Sequence, residues 1–202
     1  MADKYIYLVR HGKYHEEHKS KHLVGRLDGI GREQARRTGI RLRTLKIDSM
    51  VCSTMIRAIE TAELIKEKCL YKGSIEQTDL LRECLPSIPP AWKKILKTPK
   101  AELLANRETL QKAQKKYFKK PTGKKDEHHL LVCHGNVIRY LIVRALAKDP
   151  HLWAAMYINH GSISVIRISK TGAATLLLYN NVEFMPARLK TDSGKGLMLN
   201  FL

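Results

Sequence analysis

The chain has 202 residues, of which 44% are hydrophobic and 28% charged, and its formal net charge is +18. This length is typical of one domain, and the composition excludes a disordered or collagen-like chain. No segment approaches the roughly 18 consecutive apolar residues of a membrane-spanning helix, and residues 1–4 show no secretory signal pattern. The four cysteines lie far apart, which argues against zinc ribbons and a disulfide framework. They indicate a reducing compartment.

Short apolar runs predict the strands of a sheet, and amphipathic stretches between them predict helices. The runs predicted as strands cover residues 5–9, 49–52, 74–78, 130–133, 163–168 and 175–179. The predicted helices cover residues 31–45, 55–70 and 136–147, with Asp28 as an N-cap of the first. This alternation predicts a three-layer α/β/α fold with a mainly parallel sheet. A turn at residues 170–172 predicts an antiparallel edge strand.

Residues 86–125, here called the insertion, contain 12 Lys and Arg but only 2 acidic residues. Proline-containing stretches open and close this segment, and residues 92–118 are rich in helix-forming residues. Because so short a segment can hardly bury a core alone, we expect a helical insertion or cap on a single domain spanning residues 1–202. We expect the tail, about residues 187–202, to be flexible.

The charge of the insertion has two interpretations. A dense basic patch attracts polyanions such as nucleic acid, an anionic membrane surface or a phosphorylated partner. Charge runs are, however, more often solvated helix faces that promote solubility. Binding to nucleic acid is not favoured, since Trp92, Tyr117 and Phe118 form no ladder for stacking on bases.

Polar side chains follow the predicted strands at the points where these strands end. Arg10 and His11 follow the first strand, and Arg57 lies one helical turn beyond the second. Glu83 follows the short strand before the insertion, and His134 follows the next strand along the chain. In an open parallel sheet, ligands bind beyond the carboxyl ends of the strands. We therefore expect two histidines, two arginines and a carboxylate to meet at one edge of the sheet.

This set of side chains suits phosphoryl transfer. Arginine binds phosphate in a bidentate manner and stays charged, and a neutral imidazole can attack phosphorus to form a covalent intermediate. A carboxylate can protonate the leaving oxygen and later activate water. This layout requires no metal and no cofactor. Three further histidines beside a Lys-rich loop are more typical of a solvated turn than of a metal site: His15, His18 and His22.

Each of these side chains, taken alone, also has a purely structural interpretation. Arg57 and Glu60 have the i,i+3 spacing of an ion pair within one helix, and Glu83 lies next to Arg82. A lone Arg-His-Gly tripeptide is a weak signal. Five such residues at strand ends by chance are much less expected than a phosphate pocket.

Five ordered motifs resemble those of the histidine phosphatase superfamily, which is also called phosphoglycerate mutase-like. The resemblance implies a three-layer α/β fold with a helical cap. It implies that His11 is the phosphorylated nucleophile and that Glu83 is the acid/base. It also implies a phosphate clamp of Arg10, Arg57 and His134, and the substrate-binding set adds Asn136. The motifs cover residues 8–12, 27–35, 52–62, 81–83 and 133–136.

Within this superfamily, residues 82–92, 134–140, 159–163 and 184–186 are most similar to a branch of mitochondrial serine/threonine protein phosphatases. This resemblance implies a phosphoprotein substrate and an intracellular, mitochondrial location, or a cytoplasmic one if the full-length protein has no N-terminal anchor. Glycolytic mutases usually carry an Asn in the loop after the Arg-His-Gly motif, and residues 13–19 contain none. We therefore favour hydrolysis over phosphoglycerate mutase activity. A small-molecule phosphatase stays an alternative to a phosphatase that acts on phosphoproteins.

Two further alternatives concern partners of the chain. A noncatalytic protein could use the basic patch for binding, although all five pocket residues are present. The apolar residues 197–202 could pack on their own domain or on a second copy, so a homodimer is compatible with the sequence.

Overall fold

The computed structural model describes residues 2–15, 25–94 and 96–192. Within these ranges the chain forms six strands and four α-helices. In chain order they are β1 (Lys4–Arg10), α1 (Gly29–Leu42), β2 (Ser49–Ser53), α2 (Ile56–Cys69), β3 (Ile75–Thr78), α3 (Lys100–Tyr117), β4 (Glu127–Cys133), α4 (Gly135–Ala145), β5 (Ile163–Ile168) and β6 (Ala174–Asn181). Short 3-10 helices cover Asp79–Leu81, Pro90–Trp92, Leu152–Ala155 and Ala187–Leu189.

The strands form one sheet in the order β3-β2-β4-β1-β5-β6. The first four run parallel, whereas β5 is antiparallel to β1 and β6 is antiparallel to β5. The hairpin predicted at residues 170–172 is present, and the N–H of Gly172 donates to the carbonyl of Ser169 at 2.8 Å. Gly172 has a φ of +91°, which glycine adopts readily. The predicted fold class is thus confirmed.

Two apolar layers cover the sheet, one on each face. Successive side chains of a strand point to opposite faces. Ile6 and Leu8 of β1 therefore belong to the same core as Leu141 of α4. Tyr7 and Val9 face the other core, which is formed with α1 and α2. This double burial explains why β1 is almost continuously apolar in sequence.

The start of α1 fixes the loop that follows β1. The carboxylate of Asp28 accepts the N–H of Gly31 at 2.7 Å, which confirms Asp28 as the N-cap. A Cβ on Gly31 would lie 1.9 Å from the carbonyl oxygen of Lys13. Only glycine allows this close approach, so the loop after β1 crosses directly over the first turn of α1.

Helix α3 of the insertion begins at Lys100, later than the sequence predicted. Pro99 directly precedes it, and a proline disfavours the helical conformation of the residue before it. The helix buries Leu110 and Ala113, and it packs against α4 and the 3-10 helix Asp79–Leu81. The division into a single domain with a cap stays a prediction.

The predicted flexible tail is described only as far as Asp192. In this part Leu189 is buried, and the carbonyl of Thr191 accepts the backbone N–H of His160 at 2.8 Å. The remaining residues, 193–202, lie outside the described residues.

Candidate active site

His11 lies directly after β1, where the carboxyl ends of β1 and β4 meet. Its side chain is 2% exposed, and its backbone N–H donates to the carbonyl of Cys133. Ring nitrogen Nδ1 lies 2.8 Å from the carbonyl oxygen of Gly12, and Arg57 Nε donates to Nε2 at 3.2 Å. These contacts place the proton on Nδ1 and the lone pair on Nε2.

The surroundings of His11 keep its ring neutral. Burial lowers the pKa of His11 well below 6.5, and the nearby His134, Arg57 and Arg10 lower it further. A neutral ring with its lone pair on Nε2 is the nucleophilic form of imidazole.

Two buried arginines flank this histidine. Arg10 ends β1 and donates from Nη1 to the carbonyl of Ile158 at 2.6 Å. Burial lowers the pKa of Arg10 to about 10, so its guanidinium still carries its charge at neutral pH. Arg57 lies in the first turn of α2, and its guanidinium carbon lies 4.5 Å from the ring centroid of Tyr14.

The sequence also allowed an ion pair between Arg57 and Glu60, but the main contacts of Glu60 are with other residues. Its carboxylate binds Arg26 Nη1 at 2.7 Å and accepts the N–H of Leu27 at 2.8 Å. Glu60 therefore holds the far end of the loop after β1, while Arg57 is directed to His11.

His134 joins β4 to α4 and is fully buried. Its ring centroid lies 5.0 Å from that of His11, and its Nε2 lies 2.8 Å from the hydroxyl of Ser53 at the end of β2. Its Nδ1 has no hydrogen-bond partner among the described residues. Burial, together with Arg57 and Arg10, lowers the pKa of His134 well below 6.5. The uncharged ring of His134 can therefore form a hydrogen bond to a bound ligand through Nδ1.

Glu83 follows the 3-10 helix after β3 and completes the cluster. Burial raises the pKa of its carboxyl above the ordinary value, and the opposing charges of Arg57 and Arg10 limit this shift. The predicted alternative was a surface pair with Arg82, but Arg82 Nη1 lies 3.5 Å from Asp79 Oδ1. A carboxyl with a raised pKa is suited to donate a proton.

Comparisons with known proteins agree with this geometry. A model of the histidine phosphatase superfamily (branch 1) matches residues 6–182. The chain belongs to this superfamily. A Drosophila pseudoobscura pseudoobscura protein named serine/threonine-protein phosphatase Pgam5, mitochondrial, is 37% identical over 94% of this chain and 67% of its own length. The Xenopus tropicalis protein of that name is 36% identical over 92% and 67%. The chain thus spans about two thirds of these relatives.

A solved structure shows the same fold as this histidine phosphatase chain. The crystal structure of phosphoglycerate mutase from Plasmodium falciparum has a TM-score of 0.66 and 27% identity, and the match covers 93% of this chain and 96% of that one. The three-layer, phosphoglycerate mutase-like architecture is therefore shared.

Asn136, predicted to bind substrate, lies in the first turn of α4 and contacts protein groups at both ends of its amide. Its Nδ2 donates to the carbonyl of Cys84 at 3.2 Å, and its Oδ1 accepts from Arg139. The N–H of Cys84 in turn donates to the carboxylate of Glu83 at 3.2 Å. In this histidine phosphatase, Asn136 therefore ties α4 to the segment that carries Glu83. Its contact with substrate stays a prediction.

His160 lies in the pocket but was not among the predicted site residues. Its ring centroid lies 5.6 Å from that of His11, and burial lowers its pKa to about 2. It precedes β5, which runs antiparallel to β1, so the start of β5 lies at the pocket edge. The rule that site residues follow the ends of strands does not include a residue that precedes an antiparallel strand. The motif at residues 159–163 was the available signal.

No group of three or more His, Cys, Asp or Glu residues within the described ranges of the chain could hold a metal ion. No described helix is long and apolar enough to cross a membrane. The expectation of metal-independent catalysis stays a prediction.

Proposed function

We propose that the chain is a metal-independent phosphatase that works through a phosphohistidine at His11 and acts on serine/threonine phosphoproteins. One observation carries the proposal: the ring of His11 is buried beside two buried guanidinium groups, with Nδ1 2.8 Å from the carbonyl oxygen of Gly12 and Nε2 3.2 Å from Arg57 Nε. Guanidinium groups neutralise the charge of a phosphate, and the neutral ring attacks it.

In the first step, Nε2 of His11 attacks the phosphorus atom and the bond between phosphorus and the leaving oxygen breaks. Arg10 and Arg57 neutralise the charge on the other phosphate oxygens, which is the main requirement of phosphoryl transfer. The Nδ1 atom of His134, which has no hydrogen-bond partner among the described residues, supports a hydrogen bond to one of these oxygens. Glu83 gives its proton to the leaving oxygen, which departs as an alcohol.

In the second step, water attacks the phosphorus of the phosphohistidine. Glu83, now a carboxylate, takes a proton from this water, and the bond between phosphorus and Nε2 breaks. Inorganic phosphate leaves, and both His11 and Glu83 return to their starting states. No metal takes part in either step.

The choice of substrate and location rests on the relatives named above. They are named serine/threonine-protein phosphatases and mitochondrial. We assign the same substrate class and compartment to this chain. The missing Asn in the loop after the Arg-His-Gly motif favours hydrolysis over mutase activity.

The test compares hydrolysis of a phosphothreonine peptide and of 3-phosphoglycerate, with EDTA present. We expect peptide hydrolysis by the wild type and none by His11→Ala. His129→Ala is the matched control, because His129 lies near the amino end of β4, whereas the pocket lies at the carboxyl end of this strand. Peptide hydrolysis by His11→Ala contradicts the nucleophile, and hydrolysis that stops with EDTA contradicts metal independence. Preferred turnover of 3-phosphoglycerate contradicts the substrate class.

A further inference from the structure

We infer that the exposed basic face of the insertion is a docking surface for an acidic segment of the phosphoprotein substrate. This inference rests on the proposed function and adds to it a second recognition element outside the pocket. The partner is defined by its chemistry, an extended stretch of Asp, Glu or phosphorylated residues near the phosphorylated side chain.

All the cations of the insertion are exposed, and almost all lack an acidic partner within the part of the chain that the structure describes. Among the described residues, only Lys116 forms an ion pair, with Glu76 at 2.6 Å. The two acidic residues of the insertion, Glu102 and Glu108, are exposed and pair with none of its cations. The exposed cations are Lys93, Lys94, Lys97, Lys100, Arg107, Lys112, Lys115, Lys116, Lys119, Lys120, Lys124 and Lys125.

Side-chain contacts of α3 show how this surface is placed relative to the pocket. Asn106 donates to the carbonyl of Leu85, two residues after Glu83. Ten residues further along, Lys116 and Tyr117 both contact Glu76 in β3. Helix α3 therefore runs from the pocket edge back along the sheet. Its 18 residues span about 27 Å, so a substrate segment beside the pocket can reach several of its cations.

The apolar residues of the insertion do not favour nucleic acid. Trp92 is buried and packs edge-on against Trp153, with ring centroids 5.7 Å apart. Tyr117 is half-buried and donates its hydroxyl to Glu76. Single-stranded nucleic acids bind by stacking their bases on exposed aromatic rings. These two side chains already contact other residues of the protein.

A membrane surface is also a poor match for α3. Helices that lie in a membrane interface turn a continuous apolar face toward the lipid. The apolar residues Leu110 and Ala113 of α3 face the protein core instead. Leu104 is the only large apolar side chain of α3 among the exposed hydrophobic residues described. An outer face that is mainly basic and exposes one large apolar side chain fits an acidic peptide best.

The experiment uses two phosphothreonine peptides that differ only in the flanking residues, which are glutamates in one and serines in the other. At low ionic strength we expect kcat/KM to be about tenfold higher for the acidic peptide, through KM rather than kcat. At about 1 M salt, where charges are screened within about 3 Å, the preference should disappear.

A charge-reversal variant locates the effect on α3. In Arg107→Glu/Lys112→Glu/Lys115→Glu we expect the preference to be lost, since these side chains are exposed and glutamate sustains a helix. The matched control changes the net charge equally, at three exposed lysines outside the insertion: Lys46→Glu/Lys148→Glu/Lys170→Glu. The control should keep the preference, and both variants should hydrolyse p-nitrophenyl phosphate like the wild type.

Three outcomes of the kinetic experiments overturn the inference. They are equal kcat/KM for the two peptides, a preference that survives in the α3 variant, and a preference lost equally in the control. RNA or anionic vesicles that bind through α3 without any peptide preference assign another partner and also overturn it. If no phosphate ester is hydrolysed, the proposed function fails. Fluorescence anisotropy of the unphosphorylated acidic peptide then tests docking alone, and equal affinity of wild type and α3 variant rejects it.

Discussion

The pocket and the insertion both collect cations, but they hold them differently. Arg10 and Arg57 are buried, and each donates to a defined acceptor, the carbonyl of Ile158 and the ring of His11. On α3, side chains such as Lys112 and Lys115 are exposed and make no ion pair within the described residues. Fixed charges stabilise a transition state at short range, whereas exposed charges act at longer range and are screened by salt.

This difference predicts two distinct kinds of effect. Changes in the pocket should lower kcat by orders of magnitude and depend little on salt. Changes on the outer face of α3 should alter KM, and only for charged substrates at low salt. The following predictions test this separation, from the largest expected effect to the smallest.

Glu83→Gln should lower kcat/KM for the phosphothreonine peptide by about 10²–10⁴-fold, because glutamine cannot supply the proton for the leaving oxygen. The kcat/KM for p-nitrophenyl phosphate should fall less, since its leaving group is a weak base. Steady-state kinetics with both substrates provide the measurement, and kcat/KM covers only the steps up to formation of the phosphohistidine. An equal loss of kcat/KM on both would show that Glu83 is not the proton donor in the first step.

The same carboxyl predicts a pH dependence. The raised pKa of Glu83 keeps it protonated above the ordinary range of a carboxyl, so peptide hydrolysis should decline as pH rises through this pKa. Glu83→Gln should lack this decline. Because the pKa of His11 lies well below 6.5, no loss of activity from its protonation is expected near that pH. A pH–rate profile for wild type and variant checks both points, and an acidic limb at the ordinary histidine pKa would contradict the second.

Arg57→Lys should lower kcat by about 10²–10³-fold, although the charge is kept, because lysine cannot form the two parallel bonds of a guanidinium group. Arg41→Lys is the matched control, since Arg41 is exposed at the end of α1. Kinetics with p-nitrophenyl phosphate measure the effect. Near wild-type activity of Arg57→Lys would reduce the role of Arg57 to a source of positive charge.

Leu110→Ala should lower the free energy of unfolding by about 2–5 kcal/mol, because Leu110 is fully buried where α3 joins the core. Leu104→Ala, on the exposed side of the same helix, should change it by less than about 0.5 kcal/mol. Urea unfolding followed by circular dichroism gives both values. Similar values for the two variants would mean that α3 is not held to the body through Leu110.

The sequence was most informative where parallel strands carry the chemistry. His11, Arg57, His134 and Glu83 follow strands that point the same way, so a simple rule places them together. His160 escaped this rule because β5 runs in the opposite direction. The helix-forming residues of 92–118 predicted a helix in the insertion but not its start. The local effect of Pro99 decides that boundary.

The role of Asn136 shows a further limit of motif reasoning. The family resemblance implied a substrate contact for Asn136, and this contact stays a prediction. The hydrogen bonds of its amide with Cys84 and Arg139 depend on how α4 packs beside the Glu83 segment. Such contacts arise between residues far apart in sequence. A motif can indicate a functional residue, but it does not predict the hydrogen-bond partners of that residue.

The central claim is a phosphate bound covalently to His11 during turnover. The most direct measurement mixes the enzyme with a phosphothreonine peptide, quenches the reaction in base, and locates the acid-labile phosphate by mass spectrometry. With the peptide, we predict phosphate on His11 of the wild type. With p-nitrophenyl phosphate as the phosphate donor, Glu83→Gln should carry more phosphate on His11 than the wild type, because water hydrolyses the phosphohistidine more slowly in this variant. Peptide turnover without any phosphate on His11 would contradict this account.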